Sequence, residues 1–156
     1  MKQLLQQYAA YNAWANKRIV ETAKLLPEDQ INKEIMSSFP SVYKTVLHLV
    51  EVENVWWERL QLVEYTTLSG WFTGDFDVLS KKLLELSRQW HDWIQNTNDV
   101  NISHVFAYQN TKNEQYKQLV YERLVHLSTH KSFPVAQLVT MFPLLAFQTA
   151  HPRGGK

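Results

Sequence analysis

The amino-acid sequence predicts an all-α protein, a four-helix bundle with a short hairpin in the loop before the fourth helix. Three observations carry this. Apolar residues recur at three- and four-residue spacing over four long segments. One Asn-rich stretch breaks that period and offers two short runs that can pair across a polar turn. The 156 residues, with no internal repeat and no linker-like change of composition, suit one hydrophobic core.

The first helix is expected over residues 3–26, where Leu4, Leu5, Tyr8, Tyr11, Ala15, Ile19, Ala23 and Leu26 share a face and Pro27-Glu28-Asp29 ends the pattern. A polar stretch follows. Ser37-Ser38-Phe39-Pro40-Ser41 then supplies N-cap chemistry for a second helix over 42–63, apolar at Val42, Val46, Leu49, Val52, Trp56 and Leu60. Gly70 and Gly74 bracket a turn holding Trp71 and Phe72. In the third helix Leu79, Leu83, Leu86, Trp90 and Trp93 alternate spacings of four and three, a coiled-coil-like packing face. Residues 95–103 are expected as loop. Val105-Phe106-Ala107-Tyr108 is set to pair with Glu114-Gln115-Tyr116 across Asn110-Thr111-Lys112-Asn113. From Leu119 the helical period returns at Val120, Leu124 and Leu127 and runs toward Met141, with Pro134 in its middle. The bundle is thus drawn over 1–141. Residues 142–156 form a tail without a clear period, whose end is expected to fray.

Sixteen Lys and Arg against fifteen Asp and Glu leave a net charge of +1, too small a field to recruit nucleic acid or an anionic membrane. Zero Cys excludes disulfides, thiolate-ligated zinc and a Cys nucleophile, so any metal must sit on His, Asp or Glu. No secretory signal and no apolar run of membrane-spanning length is present, so a soluble cytoplasmic protein is expected. Neither a Gly-x-Ser-x-Gly elbow nor a phosphate-binding glycine loop occurs.

On a helical wheel the second helix turns Glu53 inward among its apolar residues. A buried carboxylate needs a partner or is driven toward its neutral form, and Asn16, Arg18 or a His are the candidates. His48 sits nearer the edge of that arc, beside Val52 and Val55, as either a packing histidine or a group facing a cleft. His126 and His130 stand at i, i+4 on the fourth helix, a spacing that metal-binding helices use. His130 falls near the edge of the inner face and His126 farther toward solvent, while the inward position next to His130 holds Pro134. A catalytic divalent site takes three protein ligands and one open position, so two imidazoles hold a metal weakly. His91, His104 and His151 fit ordinary surface positions, and the Trp56-Trp57 and Trp90/Trp93 sets fit core packing better than a ligand cage.

Three motifs, in order along the chain, resemble the DinB/YfiT-like family of four-helix-bundle metalloproteins. They are Tyr11-Asn12-Ala13-Trp14-Ala15-Asn16-Lys17-Arg18, then the run from Ser41 to Trp57 containing His48, Glu53 and Trp56, then His126-Leu127-Ser128-Thr129-His130-Lys131-Ser132-Phe133-Pro134-Val135-Ala136-Gln137. The resemblance covers about Leu5 to Met141. It implies His48 and His130 as metal ligands, with a third at position 134, and Glu53 or Asn16 as groups that orient them. It further implies a cytoplasmic, often dimeric protein that uses a divalent metal, zinc or nickel first. Characterised branches act as low-molecular-weight-thiol S-transferases or thiol-dependent isomerases.

The chain departs from the pattern where it matters most. Pro134-Val135-Ala136 stand where the family has His-Arg-Gly, and Phe142-Pro143-Leu144-Leu145 replace a Leu-Arg-x-x-Gly-like stretch. With the codons CAC CGT GGC for His-Arg-Gly, loss of the A would read Pro-Val-Ala, so a short frame slip is one hypothesis for the change, with Gln137 resuming the motif. Pro134 lacks the donor for the His130 carbonyl, so the fourth helix is expected to kink or restart near Ser132. A kink that turned His126 toward His48 would rebuild a three-imidazole set from His48, His126 and His130. The competing expectation is a non-catalytic helical domain that has lost the metal and acts by homodimerisation or by binding an apolar ligand in a Trp-rich cleft.

Overall fold

Residues Lys2–Ala23 wind into α1, which buries Leu5, Ala9, Ala15, Ile19, Val20 and Ala23 along one stripe. The computed structural model describes residues 1–36, 38–62, 70–109, 114–130, 136–140 and 142–143. Within the stretch read only as polar, Glu28–Asn32 form a short α2, with Pro27 before it, Glu28 and Asp29 in its first turn and Ile31 buried. Val42–Leu60 form α3, whose start is held by Ser41: its side chain accepts a bond from the Lys44 amide at 3.1 Å. Phe76–Asn96 form α4, capped by Asp75 accepting from the Val78 amide at 2.9 Å.

The expected loop over 95–103 is corrected by the structure. Helix α4 continues to Asn96, and Asp99–Ile102 make a single turn, α5. The residues that argued for loop act as caps here: the Asn98 side chain accepts from the Asn101 amide at 2.8 Å, and Ile102 is buried. The hairpin is present as β1, Val105–Gln109, antiparallel to β2, Gln115–Leu119, with Tyr108 opposite Tyr116 and Val105 opposite Leu119. Helix α6, Val120–His130, follows β2 directly, and residues 136–140 are again helical. Pro134, the expected kink near Ser132 and the tail from 144 onward lie outside the described residues.

Side-chain pairs give the helix directions. Lys2 bonds the Thr97 carbonyl at 2.7 Å, Asn16 meets Ser87, and Lys24 meets Asp77, so α1 runs antiparallel to α4. Tyr43 bonds the Gly74 carbonyl at 2.7 Å, Glu53 meets Ser87, and Trp57 meets Trp90, so α3 runs parallel to α4. Two apolar clusters lie along this axis. One gathers Ile19, Ala23, Val42, Val46, Leu79, Leu83 and Leu138, and the other Leu5, Ala9, Trp90, Ile94, Phe106, Val120 and Leu124. From Val120 in the second cluster to Leu138 in the first, the last part of the chain runs the same way as α1. The molecule is mostly helical, with one two-stranded sheet.

Leu83 is fully buried between α1, α3 and α4, so Leu83→Ala should lower stability by about 2–5 kcal/mol, seen as a lower urea midpoint at unchanged m. The ion pair of Lys24 with Asp77, at 2.8 Å, fastens the end of α1 to the start of α4. The Lys24 hydrogen bond and charge hold the Asp77 carboxyl below the usual carboxylate range, so this tie is present above the unfolded pKa and is lost as pH falls through the lower folded value. In Lys24→Gln, the Asp77 carboxyl titration followed by NMR should move back upward.

Candidate functional site

Glu53 lies at the inner face of α3 and is fully buried, as the helical wheel expects. Its carboxylate Oε1 accepts a bond from Asn16 Nδ2 of α1 at 2.7 Å. Asn16 Nδ2 also donates to Ser87 Oγ of α4 at 2.8 Å, and Ser87 Oγ lies 3.4 Å from Glu53 Oε2. The Trp90 indole donates to the Glu53 backbone carbonyl at 3.3 Å. Three helices therefore meet on one buried carboxylate. Of the candidate partners, the structure brings Asn16 to Glu53. Arg18 instead points to the surface and pairs with Glu21 at 3.4 Å. Asn16 Oδ1 has no hydrogen-bond partner among the described residues.

Ser87 and Trp90 were not singled out from the sequence as parts of this cluster. The available signal was spacing: Leu83, Ser87 and Trp90 follow one another at four and three residues, so a serine occupies an inner-face position.

His48 is half-buried, and its ring stacks on Phe39 with centroids 4.4 Å apart and planes at 27°. The Phe39 carbonyl accepts from Gln137 Nε2 at 3.0 Å, so the helical residues 136–140 return beside the start of α3. His126 is exposed on the unbroken helix α6. His130 ends that helix, and its side chain lies outside the described atoms. Among the described residues no group of three His, Asp or Glu is arranged to hold a metal ion. His91 pairs with Asp92 at 3.2 Å on the outer side of α4, and His104 is exposed, both as expected of surface histidines. His151 lies outside the described residues.

The aromatic residues of α3 and α4 pack as expected of a core: Trp57 meets Trp90 edge to face at 5.2 Å. Trp56 instead lies under two arginines, with the Arg123 guanidinium of α6 4.1 Å from its ring centre. That contact fixes where α6 crosses α3. No helix among the described residues is long and apolar enough to cross a membrane.

A mostly helical chain closed around a buried carboxylate, with histidines on the second and last of its long helices, defines a class of helical protein with a candidate metal site. The model of the DinB family matches residues 1–145 of the 156, and the chain belongs to that family. No curated protein and no solved structure matched it.

Asn16 and Glu53 should be energetically coupled. In a double-mutant cycle of Asn16→Ala and Glu53→Ala, denaturant melts should give a coupling energy of about 1.5–3 kcal/mol, as for a buried hydrogen bond to a charged group.

Proposed function

We propose that the chain is a four-helix bundle with the order up, down, down, up, whose cleft between α3 and α6 binds a divalent cation on His48 and His130 and acts on a small thiol, as an S-transferase or isomerase. The observation that carries this reading is helix register. From the contact of Trp56 with Arg123, residue 48 lies eight positions back along α3 and residue 130 seven positions forward along α6. With about 1.5 Å of rise per residue, the two distances are about 12 and 10.5 Å, so in antiparallel helices the positions come to nearly one level. Residues 123 and 130, two turns apart, also share a face of α6.

Two neutral imidazoles suit a borderline cation such as zinc or nickel. Pro134 offers no donor at the third position, and His126 is exposed, so the donor set fits a labile two-imidazole site and not a closed three-imidazole one. When bound, such a cation would lower the pKa of a thiol beside it. The chain's own residues set the surroundings. Phe39 fixes the plane of the His48 ring, and the bonds of Asn16, Glu53 and Ser87 stop α1, α3 and α4 sliding past one another beneath it. The family resemblance also supports a cytoplasmic homodimer.

The second reading, a non-catalytic domain that dimerises or binds an apolar ligand, is favoured by a groove on the outer side of α1. It has a volume of about 600 Å³ and is lined by Tyr11, Trp14, Ile19, Leu26, Val139 and Phe142. Tyr11 and Trp14 are exposed there with ring centroids 5.7 Å apart.

Metal analysis separates the two. The purified protein should bind added zinc or nickel weakly, His48→Ala should abolish that binding, and Pro134→His should retain a full equivalent through dialysis. Failure of the wild-type chain to bind either ion at any concentration would leave the non-catalytic reading standing.

A further inference from the structure

Arg59 on α3 and Arg123 on α6 bring two guanidiniums to one pair of aromatic rings. Arg59 Cζ lies 4.5 Å from the centre of Trp56 and 4.6 Å from that of Tyr108, and Arg123 Cζ lies 4.1 and 5.7 Å from the same centres. Trp56 and Tyr108 meet edge to face at 5.2 Å. Cation–π attraction holds each charge over this platform but does not neutralise it.

Among the described residues every acceptor on the two cations is neutral. Arg59 Nη2 donates to the Gln109 carbonyl at 3.3 Å. Arg123 Nε donates to Gln118 Oε1 at 2.7 Å, and its Nη2 donates to the Tyr108 hydroxyl at 2.7 Å and to the same Gln118 oxygen. The Tyr108 hydroxyl itself bonds Gln118 at 3.0 Å, so the group is cross-braced. Among the described residues no carboxylate lies within ion-pair distance of either arginine, and Arg59 Nε has no partner. Burial first, with the nearby Arg123 adding to it and Tyr108 opposing, weakens the hold of Arg59 on its proton.

Two like charges, half-buried against the same pair of rings and held by uncharged partners, are groups that a carboxylate or phosphate satisfies through charge-assisted N–H bonds. We propose that Arg59 and Arg123 form a binding site for the oxyanion of a small molecule, a carboxylate or a phosphate, beside the hairpin where α3 and α6 meet over Trp56 and Tyr108. The site stands on its own contacts and does not depend on a metal at His48 and His130.

The test is titration of the full chain with inorganic phosphate and, separately, with succinate, at constant ionic strength balanced with sodium chloride. Tryptophan emission and calorimetry read the binding, each with and without EDTA. Saturable binding is expected, the tighter of the two anions naming the group. It should weaken by at least about tenfold in Arg59→Gln and in Arg123→Gln, recover only in part in Arg59→Lys, and be indifferent to EDTA. Arg59→Gln keeps the test decisive if Arg123→Gln fails to fold. The proposal is overturned if neither anion binds saturably, if Arg59→Gln binds as tightly as wild type, or if EDTA abolishes binding, which would put the anion on a metal instead.

Discussion

A carboxylate without water around it sets the terms for this fold. Glu53 is fully buried, and the Asn16 amide and the Ser87 hydroxyl that reach it come from two other helices. Apolar packing alone tolerates small slides of one helix along another, because one leucine fits a groove about as well as the next. A buried polar group does not, since moving its donors away costs hydrogen bonds that no water replaces. The bonds of Asn16 and Ser87, reinforced by the Trp90 indole on the Glu53 carbonyl, therefore fix the relative height of α1, α3 and α4. The two apolar clusters lie on either side of this polar layer along the axis and supply the bulk of the hydrophobic stabilisation.

That fixed height is what gives meaning to positions on α3 and α6. His48 and Trp56 stand two turns apart on a helix that cannot slide, and Arg123 pins α6 to Trp56. The same helix pair thus carries the arginine pair at Trp56, and His48 two turns back along α3.

Much of this was legible in the sequence, and the reason differs from residue to residue. Glu53 could be turned inward, and Asn16 named among its partners, because helical periodicity fixes direction and a buried carboxylate demands a donor. The hairpin could be paired because the runs around Val105 and Tyr116 flank an obvious polar turn. Helices α2 and α5 were not seen, since single turns are set by their caps and by one buried residue each, Ile31 and Ile102, rather than by a repeating pattern. The meeting of Arg59 with Arg123 was equally hidden. It depends on how elements 64 positions apart in the chain come into register, which no local spacing encodes. The outward turn of His126 agreed with the wheel, whereas the segment around Pro134 lies outside the described residues.

After the hairpin β2 ends at Leu119 and α6 begins at Val120 with nothing between them. The Val120 amide is tied to the His104 carbonyl at 2.9 Å, on the far side of the same ladder. Strand pairing and helix phase are consequently one mechanical setting. If the ladder slipped by one residue, the first helical position would shift with it, and every side chain on α6 would swing by about 100° around the axis. The little sheet works as a protractor, and the angle it dials in selects which flank of the last long helix looks toward its neighbours.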